Sequence, residues 1–313
     1  MKKDELIFVA GHRGLVGSAI LRRLHAEGFN RVLTRPRSEL DLMNRQAVDR
    51  FFAHEKPAIV IVAAAKVGGI QANNDQPVEF LLENLQIQNN LIRAAYESGA
   101  GKLLFLGSSC IYPKFSPQPI PESALLGGPL EPTNEAYAIA KITGITLCQS
   151  YAREYGANFI SGMPTNLYGP NDNFDLVASH VLAALLRKAH EAKTSGAREI
   201  VVWGSGKPRR EFLHVDDLAS ACLFLIEKYD SPEIINIGTG TDLTICELAE
   251  LICDVVGFEG ELTFDSSKPD GTPRKLLDIS KIQSLGWAPT ILLREGIART
   301  YEWFKRRRRI GQN

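Results

Sequence analysis

No stretch of this chain comes near the ~20 consecutive apolar residues that a membrane-spanning helix requires, so no span is expected. Neither sign of charge is in excess, with 36 Lys and Arg against 36 Asp and Glu. Nucleic acid and an anionic membrane surface are therefore not expected partners. The one basic run, Lys305-Arg306-Arg307-Arg308-Arg309, is short and terminal, and reads as a solvated helix end favoured by the macrodipole. Cysteine is scarce: five residues, odd in number and without metal-like spacing, suit a reducing compartment and no metal site. The start is charged, and its first apolar run, Leu6 to Ala10, is too short for a signal peptide. A cytoplasmic location is expected. Internal repeats and low-complexity segments are also absent. What the chain does have is length, since 313 residues can bury a large core and divide into two lobes.

Through the first half, short apolar runs alternate with helical patterns. Strands are predicted at Leu6–Ala10, Arg31–Thr34, Ile59–Ala63, Lys102–Leu106 and Phe159–Met163. Helical patterns lie between them, notably Ser18–Glu27, Val78–Ser98 and Ala136–Tyr155. This alternation predicts an α/β fold with a Rossmann-type, doubly wound parallel sheet. After Pro170 the pattern changes to mixed loops, short strands and helices, including Val181–Ala192, Cys246–Val256 and Glu295–Arg307. That region reads as a smaller α/β substrate-binding lobe.

The first apolar run leads into Gly11-His12-Arg13-Gly14-Leu15-Val16-Gly17 and then a helix. Strand, glycine turn and helix are the setting of a dinucleotide fingerprint. Early glycines allow the tight turn and a close approach to pyrophosphate, and the last lets the helix pack on the strand. The helix N-terminus adds unpaired N–H groups and partial positive charge. An NAD binder usually places Asp or Glu about 20 residues on. Here the second strand ends in Thr34-Arg35-Pro36-Arg37, with no carboxylate before Glu39. Arg35 and Arg37, with Arg13 in the glycine loop, suit the 2′-phosphate of NADP(H).

Tyr137-Ala-Ile-Ala-Lys141 places a phenol and an ammonium on one helix face. Beside that ammonium the phenol, ordinarily titrating near pH ~10, is expected to exchange its proton more easily at neutral pH. Ser108, within Gly107-Ser108-Ser109-Cys110, can hydrogen-bond a substrate carbonyl. Reduction of a ketone needs such a set, because the oxygen gains a proton as the carbon gains hydride. Gly11, Ala64, Ser108 and Pro164 to Leu167 each follow a predicted strand directly. Sites in such sheets lie beyond the carboxyl ends of the strands, so these motifs converge on one crevice.

Longer strings are also distinctive: Ala63-Ala64-Ala65-Lys66-Val67-Gly68-Gly69-Ile70, Leu104-Phe105-Leu106-Gly107-Ser108-Ser109-Cys110-Ile111-Tyr112-Pro113 and Glu131-Pro132-Thr133-Asn134-Glu135. They continue with Met163-Pro164-Thr165-Asn166-Leu167-Tyr168-Gly169-Pro170, Val202-Trp203-Gly204-Ser205-Gly206, Arg210-Glu211-Phe212-Leu213-His214-Val215-Asp216-Asp217 and Lys268-Pro269-Asp270-Gly271-Thr272-Pro273-Arg274-Lys275. Over nearly its whole length the chain resembles the extended short-chain dehydrogenase/reductases, and among them the 3,5-epimerase/4-reductases of GDP-4-keto-6-deoxy-mannose. The resemblance implies an NADPH-dependent conversion to GDP-L-fucose, by epimerisation at C3 and C5 and then reduction at C4. It implies a Rossmann domain of residues 1–170 plus about 212–237, and a substrate lobe of 171–211 and 238–313. It also implies a homodimer through the helices at Val78–Ser98 and Ala136–Tyr155.

The roles implied by the resemblance are specific. Tyr137, Lys141 and Ser108 would serve the reduction, with Cys110 as epimerisation base and His180 as its acid partner. A thiol can act as that base once nearby positive charge lowers its pKa, and an imidazole can hold and donate a proton near neutrality. Cys148, Cys222, Cys246 and Cys253 are expected in the core. The cofactor would lie against Gly11, His12, Arg13, Gly14, Leu15, Val16, Gly17, Arg37, Leu106, Gly107, Ser108 and Ser109. Lys141, Pro164, Thr165, Asn166, Leu167 and His180 complete that set. Lys188 and Arg210 are candidates for the GDP diphosphate, Trp203 for packing on the sugar or base, and Asp270 for accepting from hydroxyls or guanine. Turn chemistry explains Asp270 equally well. Another sugar-nucleotide epimerase or reductase is the nearest alternative, and a non-enzymatic NADP sensor the more distant one.

Overall fold

The computed structural model describes residues 1–176 and 178–310, so residues 311–313 of the expected second lobe lie outside the described residues. The first half contains β1 (Ile7–Ala10), α1 (Leu15–Ala26), β2 (Val32–Leu33), α2 (Arg45–Glu55), β3 (Ile59–Val62), α3 (Ile70–Asp75), α4 (Pro77–Glu97), β4 (Lys102–Leu106), α5 (Glu135–Tyr155) and β5 (Phe159–Pro164). Next come β6 (Asn166–Tyr168), α6 (Val181–Ser195), β7 (Glu199–Trp203), β8 (Arg209–Arg210), β9 (Phe212–His214), α7 (Val215–Lys228) and β10 (Ile235–Ile237). The chain then forms β11 (Leu243–Thr244), α8 (Ile245–Val256), β12 (Glu261–Asp265), β13 (Arg274–Lys275), α9 (Ser280–Ser284) and α10 (Leu293–Ile310).

Six strands make one parallel sheet in the order β10-β5-β4-β3-β1-β2. Its inner strands are mostly apolar and buried throughout, as a sheet covered on both faces demands. The strand order reverses between β1 and β3, and the crevice lies at that switch point. Two expected boundaries shift. The helix expected from Ser18 begins at Leu15, because Gly14 takes the N-cap position. The second strand shortens to Val32–Leu33: it is a half-buried edge, and Pro36 beyond it has no N–H to extend a ladder.

Two apolar cores result. One lies about the large sheet, and the other joins α6, α8 and α10. Leu277, Ile279, Ile282 and Trp287 fall within the range expected for the second lobe but pack in the first core. Lys281 Nζ reaches the Ile234 carbonyl at 3.1 Å, and Asn236 Nδ2 reaches that of Asp278 at 3.1 Å, which ties this late segment to the β10 edge. Cys148 and Cys222 are buried. Cys246 and Cys253 are only half-buried: the first turns its thiol to Glu250, and the second sits at the margin of the second core.

A small ladder matters more for the site than its size suggests. β13 lies parallel to β8, with Arg274 opposite Arg209 and Lys275 opposite Arg210. Side chains alternate faces along a strand. On one face Arg209 and Arg274 both pair with the buried Asp242 carboxylate, while Arg210 and Lys275 line the central cavity. Among the described residues no helix is long and apolar enough to cross a membrane.

Candidate active site

Gly11 ends β1 with φ +85°, and a Cβ there would come within 2.7 Å of the Ala64 backbone nitrogen after β3. Only glycine lets the two strand ends meet this closely. Gly17 stands apart from the cavity lining; a Cβ on it would overlap the Gly11 carbonyl oxygen, so its part is packing α1 onto the turn. Gly14 caps α1 with no side-chain acceptor, so no side chain competes for the first N–H groups facing the cavity. That arrangement fits a dinucleotide pyrophosphate.

The cavity encloses about 840 Å³ between the strand ends, α6 and the β8–β13 ladder. Apart from Gly17, every residue expected to touch cofactor or substrate, or to do chemistry, lines it. Arg35 and Arg37 differ within it. The Arg35 guanidinium bonds Glu55 at 2.9 Å and lies over Phe51, whereas the Arg37 side chain is 75% exposed.

The Ser108 Oγ accepts from the Cys110 backbone N–H at 3.2 Å and faces the Tyr137 hydroxyl. Gly144 carries α5 down onto β4, since a Cβ there would overlap the Phe105 ring. Gln88 of α4 donates to the Ala140 carbonyl at 2.6 Å and helps to fix the same helix. Lys141 is 4% exposed, and its Nζ donates to the Leu106 carbonyl at 2.8 Å. The ammonium lies 5.8 Å from the Tyr137 ring centroid. Burial lowers Lys141 to about 8. Burial, then the nearby Cys110, pushes the Tyr137 phenol up, and the bond to Ser108 only partly opposes this. The expected easing of the phenol by its lysine is thus outweighed by burial: Tyr137 is held as the neutral acid.

Cys110 lies in the short turn after β4. Asn134 Nδ2 donates to its Sγ at 3.3 Å, and Lys275 Nζ lies 3.7 Å from it. His180 occupies the N-cap position of α6, but its side chain makes no capping bond, so the imidazole is available to the cavity. Its surface opens to cavity space while protein surrounds it. Burial, then Lys275, holds it below the ordinary histidine value.

The ammonium groups of Lys188 and Lys268 each lie 5.1 Å from the Trp203 ring. Arg210 donates to the carbonyls of Arg209 at 2.8 Å and Asp270 at 3.2 Å. The Asp270 carboxylate accepts from Ser205 N and Oγ, both at 2.7 Å, so it braces the turn after β7 and not its own Pro-Asp-Gly turn. Sequence reasoning passed over Asn134, Lys275 and Lys268, although each sits inside a distinctive string. It also passed over Asp172, a cavity carboxyl pushed up to about 7 by burial.

A parallel switch-point sheet, a glycine turn and a Ser–Tyr–Lys set define a nicotinamide-dependent enzyme of sugar-nucleotide type. The chain belongs to the NAD dependent epimerase/dehydratase family, whose model matches residues 7–238. It is 63% identical to GDP-L-fucose synthase 1 of Arabidopsis thaliana over 302 residues, 96% of this chain and 94% of that protein. A GDP-6-OMe-4-keto-L-xylo-heptose reductase from C. jejuni superposes with a TM-score of 0.93 at 40% identity, covering 98% of this chain and 99% of the other. A GDP-L-fucose synthetase from Naegleria fowleri bound to NADP superposes with a TM-score of 0.90 at 32% identity, covering 99% and 96%.

Proposed function

We propose that this chain converts GDP-4-keto-6-deoxy-mannose to GDP-L-fucose with NADPH, as an epimerase and a reductase in one cavity. The observation that carries this reading is the presence of Cys110 and His180 in the same cavity as Ser108, Tyr137 and Lys141. A reductase alone needs only the last three.

The residues divide the work. The ketone at C4 acidifies the C–H bonds at C3 and C5. At each of the two carbons in turn, the Cys110 sulfur takes the proton and His180 returns one on the opposite face. Ser108 and Tyr137 donate to the C4 oxygen and hold the enolate charge. NADPH, when bound, supplies the hydride for C4. Tyr137, kept protonated by burial, gives its proton to the C4 oxygen, and the Lys141 ammonium steadies the phenolate left behind. Arg13 and Arg37 favour a 2′-phosphate. Lys188 and Arg210 serve the diphosphate, Trp203 offers a flat apolar face, and Asp270 acts through the turn it braces.

Residues 1–170 with 212–237 form the cofactor lobe in this reading, and 171–211 with 238–313 the substrate lobe, with Leu277 to Trp287 joining them. A homodimer through α4 and α5 is supported by Val78, Leu82 and Ile139, which are apolar yet 66%, 59% and 42% exposed. Sedimentation as a monomer at micromolar concentration would remove that part. Five free cysteines suit a reducing cytoplasm.

Turnover in D₂O with NADPH tests the whole reading. Solvent deuterium should appear at both C3 and C5 of the product, with C4 hydride drawn from the cofactor. Cys110→Ser should all but abolish the label. Native product unlabelled at both carbons leaves a reductase only, the reading that the C. jejuni likeness favours. Equal use of NADH would overturn the cofactor choice.

A further inference from the structure

Lys275 enters the cavity from the end of β13, half-buried, and among the described residues it pairs with no carboxylate. Its ammonium stops 3.7 Å from the Cys110 sulfur. Lysine ammonium in so confined a place normally finds an anion. Across the sulfur, the Asn134 amide donates at 3.3 Å from the turn before α5. The other groups bearing on the thiol are Tyr137 from α5 and Arg210 from β8. The Arg210 guanidinium is already committed to two backbone carbonyls. Lys275 is thus the cation in direct reach of the sulfur.

The ladder explains how it gets there. Arg209 and Arg274 grip Asp242 from one face of β8 and β13, which fixes the register and presents Lys275 on the opposite face.

We infer that Lys275 is a positioning residue for epimerisation: its ammonium supports negative charge on the Cys110 sulfur, and the Asn134 amide directs the sulfur lone pair. This rests on the reading of Cys110 as the C3/C5 base. In that step an S–H bond forms, a C–H bond breaks, and its electron pair moves to the C4 oxygen as an enolate. The enolate pair then returns to carbon as the His180 imidazolium gives up a proton and becomes neutral. The Cys110 thiol releases its proton to solvent, and His180 regains one from solvent. Lys275 keeps its protons throughout, so it acts through charge and place.

The test uses the full-length enzyme and iodoacetamide, with alkylation followed on the Cys110 peptide so that the other cysteines do not interfere. Thiolate, not thiol, is alkylated. At neutral pH, Lys275→Met should slow alkylation of Cys110 about tenfold, the effect of one pH unit. Lys275→Arg keeps the charge and should keep most of the rate. Deuterium uptake at C3 and C5 should follow the same order. NADPH binding, read by fluorescence quenching, reports whether each variant is folded, and Lys275→Gln replaces Lys275→Met if the latter is not. Native-like alkylation in the folded neutral variant overturns the inference. Alkylation that falls equally in Lys275→Arg also overturns it, because charge would not be the cause. The parent reading fails separately: a Cys110→Ser enzyme that still labels C3 and C5 removes the base and leaves the alkylation comparison intact.

Discussion

Tyr137 and Lys141 stand on the long helix α5, and Ser108 just past the end of its neighbour β4, at the edge of the larger core. Cys110, His180 and Lys275 are gathered from a turn, a helix start and a two-residue strand, with Cys110 and Lys275 165 positions apart. On the first side packing fixes chemistry. Gly144 seats α5 on Phe105, and the Leu106 carbonyl holds the buried ammonium. On the second side polar contacts and a short ladder do that work at the cavity seam. Proton delivery to C4 and proton exchange at C3 and C5 therefore depend mainly on different parts of the fold, and share only the Ser108 and Tyr137 donors at the C4 oxygen.

The hardest blow to this division is Tyr137→Phe. It keeps the ring against Phe80 and removes the acid. NADPH oxidation should fall by roughly 10²- to 10⁴-fold, while deuterium entry at C3 and C5 should fall far less, because Ser108 still donates to the enolate oxygen. Loss of both activities together would erase the contrast.

A smaller effect is expected of Gly144→Ala, which forces α5 away from β4. Overpacking of this kind costs about 1–3 kcal/mol, readable as a lower urea midpoint. Reduction should suffer more than deuterium exchange, because Tyr137 and Lys141 ride on the displaced helix. Equal losses would show that both halves depend on the same packing.

The gentlest probe is pH. Lys141 is lowered to about 8, so its ammonium is present below that pH and lost above it, and reduction should decline as pH rises through about 8. His180 is lowered too, so the imidazolium needed for reprotonation fades on the acid side of the ordinary ~6.5. Exchange at C3 and C5 should weaken first as pH rises, and NADPH oxidation of an already epimerised ketone only later. Coincident declines would merge the two halves.

The half built by packing is also the half that could be read from the chain. Tyr137 and Lys141 are one helical turn apart, and the glycine turn lies within Gly11 to Gly17, so spacing alone brings each group together. β4 runs from Lys102 to Leu106, as its apolar run predicts. Spacing could not show that Lys141 would turn to a backbone carbonyl, since carbonyls leave no mark on sequence. Nor could it show that Arg35 would be held by Glu55. Asn134 and Lys275 escaped for a different reason. A two-residue strand has no period to detect, and the partner that gives Lys275 its meaning is far away along the chain. The larger core announced itself by alternating apolar runs, whereas the late return of Leu277 to Trp287 into it did not.

The Asp242 grip on Arg209 and Arg274 makes length itself a functional variable in the loop before β13. Slipping a strand by one residue exchanges its faces. A single residue inserted between Thr272 and Arg274 would leave the large sheet untouched. If the ladder re-paired one step out, an arginine would stand beside the thiol and Lys275 would turn toward Asp242. The protein would fold, bind its nucleotide and keep every residue named above, yet meet its thiol with a guanidinium in place of the Lys275 ammonium. The count of residues between Asp270 and Lys275 therefore decides which cation meets the thiol.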